Sequence, residues 1–147
     1  MAKPIPTYII KTALKDFRLP ATWRRFKIKK NLPITELASY LEIMFEMYAE
    51  HQYDFPYQSD DGLVVMVNNL EEYSMVPSFP GGPKIKYVSL NDFRLNYFNV
   101  GDEFLFRYDF GDGWEIKLKI EQLDDQNELS AKNLPRIIAG KGFGIVE

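Results

Sequence analysis

An α+β fold is expected: a mostly antiparallel sheet packed against one main helix and a short second one. Three observations predict it. Apolar residues alternate singly in several short segments, the period changes to three and four in one segment only, and no regular β-α-β alternation follows. A chain of 147 residues fits one domain, 1–147, which buries roughly 70% of its unfolded surface.

In "YIIKTALK", residues 8–15, Tyr8, Ile10, Thr12 and Leu14 share one face and Lys11 and Lys15 the other. In "TWRRFKIKK", residues 22–30, Arg24, Phe26 and Ile28 share a face, opposite Trp23, Arg25, Lys27 and Lys29. The link "DFRLPA" suits a hairpin loop, so the two strands form a ribbon with one cationic face. A helix is expected over about 35–50, where Leu37, Leu41, Met44, Phe45 and Tyr48 recur at three and four. Thr35 would be its N-cap, and Glu42, Glu46 and Glu50 would line its polar side. "HQYDFPYQSDDG", residues 51–62, reads as a turn, "LVVMV" as a buried strand and "SMVPSFPGGP" as a loop. "KIKYV" is a further strand, and Ser89 with Asp92 opens a short helix over about 89–96.

The densest segment is "YDFGDGWE", residues 108–115. Strand 103–110 puts Phe104, Phe106, Tyr108 and Phe110 on one face, and strand 114–120 does the same with Trp114, Ile116, Leu118 and Ile120. A Gly111-Asp112-Gly113 loop aligns these faces by pairing Phe110 with Trp114 and Tyr108 with Ile116. That register sets Asp109 opposite Glu115 and Arg107 opposite Lys117, at the cost of opposed like charges.

Composition narrows the chemistry. Without cysteine, thiolate catalysis, disulfides and thiolate-bound metals are excluded. The longest strongly apolar run, Leu63–Val67, is too short to span a membrane, and a cytoplasmic protein with no membrane partner is expected. The net charge of −3 hides a division, because residues 31–80 contain no Lys or Arg while residues 1–30 are strongly basic. Three functional candidates follow. Lys11, Lys15, Trp23, Arg25, Lys27 and Lys29 form a surface for a protein or nucleic-acid partner, with Trp23 stacking on a base. Asp109, Asp112 and Glu115 form an acidic site able to hold a divalent cation as a metal-dependent hydrolase would; no other cofactor is implied. His51, the only histidine, and Arg24 are associated candidates, Arg24 expected to bond a carboxylate or backbone carbonyl in a structural role. Self-association of the basic ribbon with the acidic helix of another copy is a further option. No complete catalytic set is present, so a non-catalytic binding module is favoured over an enzyme.

"LPATWRR" at 19–25, "HQYDF" at 51–55, "YDFGDGWE" at 108–115 and "AGKGFGIVE" at 139–147 occur in one order. Together they resemble the plasmid pRiA4b ORF-3-like family, from about residue 5 to the end. The resemblance implies a link to plasmids or mobile elements and an uncharacterised molecular function. Two departures are visible. Ile116 stands where many members carry a histidine, and members usually continue past "GIVE" into an acidic, glycine-rich segment, which the resemblance implies is lacking here.

Overall fold

The computed structural model describes residues 4–15, 22–47, 52–73, 84–109, 113–127 and 129–142. The strands are β1 (Thr7–Leu14), β2 (Thr22–Lys29), β3 (Tyr53–Ser59), β4 (Gly62–Val67), β5 (Ile85–Ser89), β6 (Glu103–Tyr108), β7 (Trp114–Asp124) and β8 (Arg136–Lys141). They form one eight-stranded sheet in the order β5-β4-β3-β6-β7-β1-β2-β8. All neighbours are antiparallel except β4 and β5. The helices are α1 (Ile34–Met44) and the single-turn α2 (Leu70–Tyr73). This is the α+β architecture the alternation predicts, and among the described residues no helix is long and apolar enough to cross a membrane.

One face of the sheet carries the core. Tyr8, Ile10, Phe26, Ile28, Phe55, Phe104, Phe106, Ile116, Leu118 and Ile120 are buried there with Leu37, Ala38 and Leu41 of α1. Aromatic stacking continues the packing, with Phe98 and Phe104 parallel at 4.1 Å. The Tyr8 hydroxyl donates to the Phe98 carbonyl at 2.8 Å, so the one polar end of that buried ring is satisfied.

Several elements differ from expectation. The main helix stops at Met44, not near residue 50. Glu46 takes a left-handed conformation, φ 56°, while Glu46 N–H donates to Ile43 and Met47 N–H to Glu42. This is a Schellman closure with glutamate where glycine is usual. The expected acidic stripe is therefore not formed: Glu42 is buried and Glu46 lies beyond the helix, while Tyr48 and Glu50 fall outside the described residues. The helix starts one residue early, after Pro33 rather than a Thr35 cap. Since a left-handed conformation costs an L-residue about 1–2 kcal/mol, Glu46→Gly is expected to raise stability by up to about 1 kcal/mol in urea denaturation, unfolded-chain entropy offsetting the rest.

The segment over 89–96 forms two short 3-10 turns, Leu90–Asp92 and Leu95–Tyr97, in place of a continuous helix. The Ser89 hydroxyl does accept from Asn91 N–H, the cap its position suggests. "YDFPYQS" is a strand, not a turn. Its Pro56 lacks an N–H, and β3 pairs with β6 only at Tyr53 and Asp54, so the ladder on that side has ended before the proline.

The hairpin register also differs. Tyr108 pairs with Trp114, Phe106 with Ile116 and Phe104 with Leu118, a shift of two residues from the expected alignment. A shift of two keeps every side chain on its face, so the apolar surfaces still coincide. On the outer face it replaces like-charge pairs by opposites, Arg107 facing Glu115 and Glu103 facing Lys119. Asp109 therefore does not face Glu115. It opens the connection at φ 56°, Gly113 N–H donates to its carbonyl at 2.6 Å, and Gly113 itself has φ 73°. Phe110, Gly111 and Asp112 lie outside the described residues.

Candidate functional site on the outer face of the sheet

The face of the sheet opposite the core carries most of the charge and has two adjoining parts. The first lies where β3, β6 and β7 meet. The register pairs Asp54 with Arg107 and Arg107 with Glu115, so "HQYDF" and "YDFGDGWE" lie side by side. Asp109 N–H donates to the Gln52 carbonyl at 3.0 Å, extending that contact to the end of both motifs. Asp54 is 1% exposed, and Arg107 grips both its oxygens, Nε to Oδ1 at 2.7 Å and Nη2 to Oδ2 at 2.5 Å. Such a bidentate fork is shorter and stronger than a neutral hydrogen bond and fixes the geometry of both groups. Burial pushes the Asp54 carboxyl up, while the Arg107 hydrogen bond and charge pull it partway back. The hydrogen bond to Asp54 raises Arg107 in turn.

A cavity of about 320 Å³ opens beside this pair, lined by Asp54, Tyr73, Arg107, Tyr108, Gly113 and Glu115. Tyr73 projects from α2 and packs on Tyr87 with ring centroids 4.8 Å apart. Burial first and the Asp54 charge second push its phenol up, so it stays protonated at neutral pH. Glu115 reaches Lys15 at 3.4 Å across the next strand.

The second part covers β7, β1 and β2. Lys119 faces Lys11, and Lys11 faces Arg25, so a row of cations crosses three strands. The adjacent row is Lys117, Ala13 and Trp23, where alanine leaves a low floor beside the indole. Lys11 and Arg25 both lie over the Trp23 ring, at 5.0 and 5.3 Å. Arg25 is paired with Glu121 at 2.7 Å, Lys27 with Asp124 at 2.8 Å and Lys117 with Glu103 at 3.1 Å. The Arg25 hydrogen bond, with smaller contributions from Lys11 and Lys119, holds Glu121 below the usual carboxylate range. Glu121 thus serves several cations at once. Among the described residues, Lys11 and Lys119 have no carboxylate within salt-bridge distance. Partial neutralisation comes from β7, which the sequence could not indicate without the strand order.

The remaining candidates are distributed as follows. Arg24 lies on the core side, apart from the carboxylates of the outer face. Its guanidinium donates to the carbonyls of Trp23, Lys141 and Gly142 at 2.9, 2.9 and 3.1 Å and lies over the Phe45 ring. It ties the end of β8 to β2, in a structural role through backbone carbonyls. Gly142 at this clasp has φ 88°, and a Cβ there would come within 2.4 Å of the Thr22 hydroxyl. His51 and Asp112 fall outside the described residues. Among the described residues no group of three or more metal-ligating side chains is brought together, and Asp109 is separated from the expected partner Glu115 by the register. Sequence reasoning missed Asp54, Tyr73 and Arg107. Asp54 alone carried a signal, as the carboxylate inside "HQYDF".

The family model for plasmid pRiA4b ORF-3-like proteins matches residues 6–147, nearly the whole chain. No curated protein matches. Among solved structures, MM3350 from Methanosarcina mazei Go1, described as a protein of unknown function, is similar with a TM-score of 0.77 and 22% identity. The match covers 96% of this chain and 72% of that one, and at this identity it shows a common fold.

Proposed function

We propose, for a chain that belongs to the plasmid pRiA4b ORF-3-like family, a non-catalytic binding module whose outer sheet face takes a single-stranded nucleic acid. The family description, drawn from a plasmid reading frame, accords with a role in plasmid or mobile-element biology. The observation that carries the reading is the row Lys119, Lys11 and Arg25, directly opposed across three strands with Trp23 beside it. Opposed cations cost stability on a bare sheet. Phosphates spaced along a strand would relieve that repulsion, and a half-buried indole next to the row offers a stacking surface for a base. The overall charge of −3 does not oppose this, since attraction at contact distance depends on the local field within a Debye length of about 10 Å.

Fluorescence polarisation with labelled single-stranded DNA and RNA across a salt series tests the reading. Three phosphate contacts give a slope of log K against log salt of about −2, since each contributes about −0.7 on single strands. The double variant Lys11→Glu, Lys119→Glu is expected to abolish most of that slope. Trp23→Ala is expected to weaken binding by about 1–3 kcal/mol with the slope unchanged. Undetectable binding of both nucleic acids at low salt would sink the proposal.

A further inference from the structure

We propose that the cavity between β3, β6, β7 and α2 binds an alkylammonium head group, supplied by a free aliphatic amine or by a lysine side chain. The inference goes beyond the nucleic-acid reading and does not depend on it.

Charge decides the class of ligand. The charges of Asp54 and Arg107 cancel, two of the guanidinium's N–H donors, on Nε and Nη2, bonding both carboxylate oxygens. Among the described lining residues, Glu115 is the one further charge. Among the described residues, its Oε2 pairs with Lys15, at 3.4 Å, with the lysine side chain 53% exposed. An ion pair so exposed contributes little and is easily exchanged. An anionic ligand would be repelled by Glu115, whereas an ammonium would be attracted to it and would compete only with the exposed Lys15 for it.

Hydrogen bonding points the same way. Among the described residues Glu115 Oε1 and the Tyr73 hydroxyl have no hydrogen-bond partner, and both groups line the cavity. An ammonium donates up to three hydrogen bonds and accepts none, which suits a carboxylate oxygen and a phenol oxygen. The Tyr73 ring adds a face against which a cation is attracted. Size limits the rest of the ligand, since about 320 Å³ lies at the small end of ligand pockets, which run from about 300 to 1,000 Å³. A few methylenes fit beside the Tyr73 ring.

The test is a chemical-shift titration of the full chain with n-butylamine and with Nα-acetyl-lysine amide, using butanol as the uncharged control. Both amines are expected to shift the amides of Tyr73, Gly113 and Glu115 saturably, and butanol is not. Glu115→Gln keeps the side chain's shape and is expected to weaken amine binding by about tenfold or more, the value of a charge-assisted hydrogen bond. Tyr73→Phe is expected to weaken it several-fold with the spectrum otherwise intact. Lys15→Ala, by removing the competing cation, is expected to strengthen it. Glu103→Gln, a carboxylate on the same face outside the cavity, is expected to leave it unchanged. Tighter binding of the lysine amide would assign the ligand to a peptide, and tighter binding of butylamine to a free amine. No saturable shift with either amine, or equal shifts in Glu115→Gln, overturns the proposal.

Discussion

Removing the Arg107 guanidinium by Arg107→Ala is expected to destabilise the protein by about 3 kcal/mol at pH 7, measured by urea denaturation. Breaking a buried ion pair from one side costs about 3–5 kcal/mol because the remaining charge is stranded. The lower end applies because the Arg107 side chain is 39% exposed while Asp54 is 1% exposed. The loss should depend on pH with a definite sign. Burial already raises the Asp54 carboxyl, and Arg107 supplies the two influences that lower it, so the variant's folded carboxyl rises further. Between the unfolded value near 3.9 and that raised folded value, the native state holds a proton that the unfolded chain does not. Stability of the variant therefore falls as pH rises through this window, and the deficit against wild type shrinks on acidification. Adding Asp54→Asn to the Arg107 variant is expected to recover much of the loss, since no charge is then left unpaired. A deficit independent of pH would show that Arg107 acts through packing alone.

Phe106→Ala should cost about as much, about 3–5 kcal/mol by the same measurement. Phe106 is fully buried at the centre of the sheet, with ring centroids of Phe55 at 5.0 Å and Tyr53 at 5.4 Å. Those partners come from β3, so the loss opens a cavity between β6 and β3 in the core. The two variants differ in one respect that separates core from site. Phe106→Ala should cost nearly the same at pH 5 and pH 7, because the ring carries no titrating group and lies on the face of β6 opposite Arg107.

The strands that carry the core were legible because their apolar residues alternate against charges: β1, β2, β6 and β7 all follow the single-residue period. β3 was not, because Pro56 stands in its middle and polar residues surround it; only the early end of its β6 ladder makes the proline tolerable. Helix α1 was legible in its buried residues but not in its length, since Glu46 ends it in a conformation that no glycine announces. Alternation specifies the hairpin register only to within a shift of two, which leaves the faces unchanged while altering every cross-strand pair. The candidate site depends on those pairs. Arg107 and Asp54 are 53 positions apart, and nothing local to either residue says that their strands are neighbours. Lys11 and Trp23 were legible because a single hairpin joins them, whereas Lys119 joins the row only through the β1–β7 pairing.

The proposed partner surface is the outer face of β7, β1 and β2. The most direct measurement is chemical-shift mapping of the 15N-labelled protein during titration with a single-stranded oligonucleotide at low salt. Saturable shifts at Lys11, Trp23, Arg25 and Lys119, reversed by added salt, are the predicted result. Shifts confined to the α1 side of the sheet, or no shifts at any oligonucleotide concentration, would contradict it.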